Sequence, residues 1–562
     1  MKLRTGLVCI GMVGLAVATV LSQQACSEFF PAQNNPASLQ STNSESEISP
    51  ANAQPQLATL ASNLKDKLDL SSKPAPKNPE PGKIFKAPKV SKDGVIIDKI
   101  PHITQKPDFC GEACVAMYLR YLGYSTTQDQ VFNVSELSPA KGRGCYAPDL
   151  YKALKNMNFK LDDPNKIWFK TSGKRHRLKI KVSHFDKQIF KNLRKGYPSI
   201  CCMYYDNKPN TTEHFRLIVG YDPNTKLVYY HEPAHKDKAY QSMPRSRFLR
   251  TWGLKGENDS ITMIAFTLKP SKFKLPKFPP VRFKKLYKNG KFVKARISNF
   301  TKADYAQKVL SIKEKPPVKG LRYLVRPPFV IVGNESKAVV YQRTKNTVSW
   351  AADNYRKQYF KYNPDNIIVI WLMKDKKTYL TACKKLMNYN PGTPYGFFSS
   401  SDNLLMMNIS TGGGTLVHEM FHAYIPANFP EIPSWCNEGF ASLYEQCGQR
   451  DGKIIGYTNW RLAGLQRAIK KKRTVPLKKL MSTTTNQFYA DETGEYYAMA
   501  RYLCYYLQEK GKLQKFYDEF YANQASDPTG IKSLCKVLGI KESELPAFQK
   551  KWEKWCLKLR FP

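Results

Sequence analysis

The sequence predicts a multidomain protein in which an α+β domain precedes a mainly α domain with a small sheet. Three observations carry that expectation. A chain of 562 residues is too long for one hydrophobic core. Helical and strand-like segments alternate over 95–268, whereas 320–562 opens with strands and continues mostly helical. Between them, 269–319 is dense in Lys and Pro and reads as a linker. With 42% hydrophobic and 12% aromatic residues, the chain has the material for folded cores.

The N-terminus comes first. Lys2 and Arg4 precede an uninterrupted apolar run, GLVCIGMVGLAVATVL, from Gly6 to Leu21. A charged start and an apolar stretch too short for a spanning helix describe a secretory signal over 1–25. Ala25-Cys26 offers a lipoprotein junction, while Gln23 and Gln24 suit a lipobox poorly, so lipidation at Cys26 and simple secretion both stay open. Either way the protein is expected outside the cytoplasm, in the periplasm, on the cell surface or beyond. Residues 26–94, rich in Pro, Ser, Asn, Gln and Lys, form a tether interrupted by a helix-like stretch at 57–70. The 13 cysteines of an exported chain permit disulfides, but their spacings require none.

In 95–268, CVAMYLRYLG and APDLYKALKNM read as helices, FRLIVGYD and KLVYYHEP as a strand pair. The stretch QKPDFCGEAC puts Cys110 where a loop meets a helix, and a helix N-terminus favours the thiolate nucleophile. The Cys110 backbone N–H and the Gln105 amide can form an oxyanion hole. His214, opening an apolar strand, is the candidate base, and a hairpin brings Glu232 beside it to orient the ring. Cys114, one turn beyond Cys110, leaves a disulfide or metal half-site open; adjacent Cys201 and Cys202 lack ligand spacing. His231 and His235 flank the Glu232 turn and read as surface residues.

Gln105, Cys110-Gly111, the helix ending YLRYLG, then HFRLIVGYD and EPA, resemble papain-like cysteine peptidases of the bacteriocin-processing (double-glycine leader peptidase) type over about 98–240. The resemblance implies a papain-like α+β fold and a Cys-His-acid triad. Glu232 stands where such enzymes usually carry Asp or Asn. The chain has neither the membrane spans nor the P-loop of transporter-borne leader peptidases, so bacteriocin maturation is not the expected task.

In 320–562, FVIVGNES and NIIVIWLM read as strands, and AVVYQRTKNTVSWAADNYRKQYF as a helix between them. TLVHEMFHAY follows. On a helix, His418 and His422 project from one face a turn apart, and Glu419 can reach a metal-bound water. Zinc needs a third protein ligand and an open position. Glu438 in PSWCNEGFASLYE is the candidate, with Glu445 in reserve.

His418, Glu419 and His422 with Asn437-Glu438-Gly439 resemble the gluzincin metallopeptidases, especially the peptidase MA-like group, over roughly 325–510. That resemblance implies a thermolysin-like zincin fold, a Zn2+ cofactor and an edge strand in GFFSSSDNLLMMN. It also implies an oxyanion-stabilising tyrosine in YAMARYLCYYL, either Tyr497 or its neighbour Tyr496. The aminopeptidase stretch Gly-x-Met-Glu-Asn is missing, so cleavage inside peptides is expected.

The balance of 89 Lys+Arg against 45 Asp+Glu, a formal +44, favours anionic partners. The charge is spread along the chain without a nucleic-acid motif, so an anionic envelope surface is expected rather than nucleic acid. The substrate class is peptide or protein, peptidoglycan peptides included, and a membrane contact would run through a lipid on Cys26. Three functions compete: two active peptidase sites; a zinc peptidase whose cysteine domain only binds peptide or envelope; and a non-enzymatic envelope-binding protein built on peptidase folds. Oligomeric state leaves no mark in the sequence.

Overall fold

A computed structural model describes residues 82–561, except 160, 162–167, 172–181, 209–210, 256–260, 271–272, 276 and 278–279. The signal, most of the tether, the helix-like stretch at 57–70 and Cys26 lie outside the described residues. The chain divides into two compact units; their described parts draw on 73–280 with 299–315, and on 281–298 with 316–562.

The first unit mixes α and β. Its helices include α1 (Cys110–Tyr121), α2 (Gln128–Val134) and α3 (Ala147–Asn156). From Gly111 to Leu119 every residue of α1 is buried, as in a helix surrounded by protein. Its antiparallel sheet contains β1 (Ser199–Tyr204), β2 (Glu213–Asp222), β3 (Leu227–His231), β4 (Gln241–Pro244) and β5 (Ile261–Phe266). The order runs Trp168–Thr171, β5, β1, β2, β3, β4; Val95–Ile96 also pairs with β2 and Leu254–Lys255 with β5. The central strand β2 is buried along nearly its whole length. Helix α1 lies against it because Gly111 lacks a Cβ, which would meet the Phe215 ring at 3.1 Å.

The second unit is mainly helical beside one five-stranded sheet. It opens with a ribbon of β6 (Phe283–Lys288) and β7 (Lys291–Arg296), closed by Asn289 and Gly290, both at positive φ. The sheet comprises β8 (Arg322–Arg326), β9 (Phe329–Gly333), β10 (Ile368–Met373), β11 (Gly396–Ser399) and β12 (Leu404–Asn408). Its order is β8-β9-β10-β12-β11, with parallel pairing in the middle and antiparallel edges. Buried β9, β10 and β12 are almost wholly apolar, as a covered parallel core requires.

The predicted helix between β9 and β10 forms as Lys337–Arg343, a π-helical stretch at Thr344–Ser349, and Trp350–Gln358. The helices that build the site are α5 (Gly414–Asn428), α6 (Ser434–Leu443), α7 (Arg461–Lys470), α8 (Thr485–Tyr489) and α9 (Glu495–Glu509).

The stretch 269–319, read from sequence as a linker, contains the β6–β7 ribbon and helix α4 (Lys302–Glu314). The two fall in different units. High Lys content masked a period-two pattern: Lys284 and Leu286 are buried while Phe283 and Lys285 are exposed. Lys284 is buried because its ammonium meets Asp365 Oδ1 at 2.9 Å and the Ala427 carbonyl at 2.8 Å.

All eleven described cysteines are free thiols, ten of them buried and Cys110 half-buried. No helix among the described residues is long and apolar enough to cross a membrane.

Candidate active sites

The first site forms where α1 begins. Cys110 is its first residue, and the sulfur accepts the backbone N–H of Phe215, the residue after His214 on β2. Nucleophile and candidate base are thus brought together through a helix start and the central strand. The loop before α1 passes so close to Gly144 that a Cβ there would lie 1.8 Å from the Asp108 carbonyl oxygen. The Gln105 backbone N–H donates to the Pro233 carbonyl at 2.8 Å, which ties the oxyanion-hole candidate to the turn carrying Glu232. Its side-chain Oε1 is buried without a hydrogen-bond partner.

His214 Nε2 lies 2.5 Å from Glu232 Oε1, with both residues buried. Burial alone would raise the Glu232 pKa. The hydrogen bond from His214 and the charge of Arg216 outweigh it and hold the carboxyl at about 2. The carboxylate is therefore ionised at neutral pH, so Nε2 carries the proton and Nδ1 is the basic nitrogen.

Arg216 was not singled out from the sequence. On a strand, residues two apart share a face, so Arg216 projects beside His214. Its Nε donates to Glu232 Oε2 at 2.7 Å, and its terminal nitrogens donate to the Tyr204 and Tyr205 carbonyls at 3.2 and 2.8 Å. The guanidinium lies over the rings of Tyr205 and Tyr230. The triplet His-Phe-Arg opening a strand was the available signal.

Two sequence expectations change. The Cys110 thiol is pushed up to about 12, first by burial and then by the charges of Glu112 and Asp108. The N–H groups of Phe215 and Gly111 only partly offset this, so the helix start does not by itself give a thiolate. His231, expected at the surface, is fully buried, with its ring between His102 and Tyr240. As the residue before Glu232 on β3 it faces the other side of the sheet, and neither ring nitrogen has a hydrogen-bond partner. Burial takes its pKa down to about 3. His235 is exposed, as expected, and its Nε2 lies 3.1 Å from the Tyr205 hydroxyl.

The second site is built on α5 and α6. His418 and His422 share one face of α5, with Nε2 atoms 3.0 Å apart. Glu438 Oε2 lies 3.2 Å from the first and 3.5 Å from the second. Three donor atoms of zinc-ligand chemistry thus converge in a buried pocket, all within 4.8 Å of one another. Outside this cluster Glu438 Oε2 has no hydrogen-bond partner, and the two histidines outweigh burial and hold its carboxyl well below the usual carboxylate range. Burial would lower the His418 pKa, yet Glu438 and Glu445 carry it up to about 10. The residues fit a divalent cation.

Around these atoms lies an ordering shell. The Tyr489 hydroxyl donates to Glu438 Oε1 at 2.6 Å; His422 Nδ1 meets Asn437 Oδ1 at 3.0 Å. Glu445, held in reserve as a ligand, lies 3.3 Å from His418 Nδ1, the nitrogen turned away from the donor cluster. Arg461 and Asn459 fix Glu445 in turn, at 2.8 and 2.9 Å. It orients His418 rather than completing the triad of donors. Tyr489 lay outside the motif windows, and no spacing rule from Glu438 reaches it.

Glu419 Oε2 accepts the Phe398 N–H of edge strand β11 at 3.0 Å. Burial raises its pKa, while His418 and His422 lower it in part. Tyr497 stands by Arg461, whose guanidinium is 5.2 Å from its ring, and burial followed by the Glu438 charge keeps its hydroxyl protonated. The rings of Tyr496 and Tyr497 both pack on Phe488, and Tyr496 donates its backbone N–H to Asp491. Helix α6 can approach α9 closely because a Cβ on Gly439 would meet Cys504 Sγ at 2.9 Å and the Ala500 carbonyl at 3.0 Å.

No curated protein matches this chain. One family model does match: residues 97–259 fit the Peptidase_C39 like family, a span that includes Gln105, Cys110, His214 and Glu232. The likeness supports a papain-like domain of cysteine-peptidase type in the first unit.

Proposed function

We propose that this chain is an exported peptidase with two independent centres, a cysteine site in the first unit and a zinc-dependent site in the second. The observation that carries the first is the buried His214–Glu232 pair, with the Cys110 sulfur bonded to the N–H next to His214. The convergence of His418, His422 and Glu438 carries the second.

In the cysteine site, Cys110 Sγ attacks the scissile carbonyl carbon and its proton passes to His214 Nδ1. The imidazolium is stabilised by Glu232, and the Cys110 N–H with the Gln105 amide receives the carbonyl oxygen as its charge develops. His214 then returns the proton to the leaving amine, and water releases the acyl group. A thiol pushed up to about 12 by burial requires proton transfer to His214 concerted with attack.

In the second site, His418, His422 and Glu438 would hold zinc, which when bound supplies Lewis acidity and an activated water. Glu419, raised by burial and steered by the Phe398 N–H, takes a proton from water and delivers it to the leaving amine. Tyr497 keeps its proton and can donate to the developing oxyanion. Peptides and proteins, peptidoglycan peptides among them, are the proposed substrates.

The test is a peptide-library digest with Glu419→Ala, Cys110→Ala and the double variant. Two distinct cleavage patterns, each lost with one substitution, support two enzymes. Activity that vanishes with Glu419→Ala alone would leave a zinc peptidase carrying a papain-like binding domain. That reading is favoured by the high thiol pKa. Activity retained in the double variant would sink both assignments.

A further inference from the structure

The β6–β7 ribbon takes part in neither site. One of its faces is anchored: Lys284 and Leu286 are buried, and the Asn289 N–H at the tip donates to Glu431 at 3.0 Å. The other face carries Phe283, Lys285 and Tyr287, directly opposite Arg296, Lys294 and Phe292. Those positions hold cations and aromatic rings and no carboxylate. Phe283 is 51% and Phe292 49% exposed.

The pairing is unusual for stability. Lys285 faces Lys294 and Lys288 faces Lys291 across the ribbon, and like charges directly opposite one another destabilise a strand pair. Of the two pairs, Lys285 and Lys294 stand on the outward face, where no carboxylate neutralises them; an external anion would. Each lysine lies diagonally over a ring: Lys285 Nζ is 4.3 Å from the Phe292 centroid and Lys294 Nζ 4.5 Å from that of Phe283.

We infer that this face docks on an anionic lipid surface, with the ammonium groups at the phosphates and the phenylalanine rings in the boundary beneath them. The face has no Asn, Gln, Ser or Thr to read base edges, so a nucleic acid read by sequence fits it less well. The inference is independent of both catalytic readings.

The experiment uses the chain lacking residues 1–26, none of which is among the described residues, so that neither the signal nor a lipid contributes. Its sedimentation is followed with phosphatidylcholine vesicles containing about 30% phosphatidylglycerol, and with phosphatidylcholine alone, at about 0.15 M salt. Binding should require the anionic lipid. Lys285→Gln with Lys294→Gln should weaken it at least about ten-fold, since each cation near such a surface counts for several-fold. Phe283→Ser with Phe292→Ser should weaken it several-fold, with an unchanged circular dichroism spectrum. Equal binding by the wild type and both double variants would overturn the inference. So would losing affinity for an oligothymidylate strand while keeping affinity for vesicles.

Discussion

Arg216 Nε holds Glu232 Oε2 at 2.7 Å, on the carboxylate oxygen opposite the one that meets His214. The carboxylate is therefore shared between the proposed base and a permanent cation, and Arg216 fixes its plane.

Arg216→Met should lower the proposed cysteine activity by about 10²-fold as the carboxylate loses its orientation. Arg216→Lys should recover part of the rate. An unchanged rate in Arg216→Met would show that Glu232 keeps its place without the guanidinium.

Glu112 is fully buried one residue after Gly111, accepts the Cys145 N–H at 2.7 Å, and has its carboxyl pushed up to about 7 by burial. Its charge also raises the Cys110 thiol. Glu112→Gln should lower the thiol pKa and speed iodoacetamide modification at pH 8 by about three- to ten-fold. An unchanged rate would show that burial alone governs the thiol.

His231 should make the first unit sensitive to acid. Its folded pKa, about 3, lies below the ordinary value of 6.5, so the unfolded chain binds the proton first as pH falls. Its contribution to stability is lost from about pH 6.5 down to about 3, amounting to about 2 kcal/mol by pH 5. His231→Phe removes this penalty, so its unfolding midpoint should exceed that of the wild type by a margin that widens between pH 7 and pH 5. A margin independent of pH would contradict the linkage.

Tyr489→Phe removes the hydroxyl on Glu438 Oε1 without touching a donor to the cation. Zinc affinity, measured by competition with a chromophoric chelator, should drop about 10- to 100-fold, as is usual for partners behind the ligands. Glu438→Gln should drop it further. Wild-type protein that takes up no zinc would remove the metal centre from the proposal.

Much of both sites could be read from sequence because the reactive residues lie in short patterns whose geometry is local. A helix fixes His418 against His422, and a hairpin fixes Glu232 near His214. What escaped was set by long-range packing. Tyr489 reaches Glu438 from a separate short helix, and the burial of Cys110 depends on how α1 seats against Phe215. His231 reads as a surface residue only if the turn is solvated on both sides, whereas strand alternation sends it to the opposite face from Glu232. The ribbon was hidden by its lysines, which resemble linker composition until their burial alternates.

Ten buried thiols without a disulfide among the described residues have a consequence for how this protein fails. If the fold opens where the surroundings are oxidising, sulfhydryls far apart in sequence become available together and cross-link at random. Inactivation by heat should then be irreversible and governed by the opening rate, and a reductant in the buffer should restore recovery on cooling.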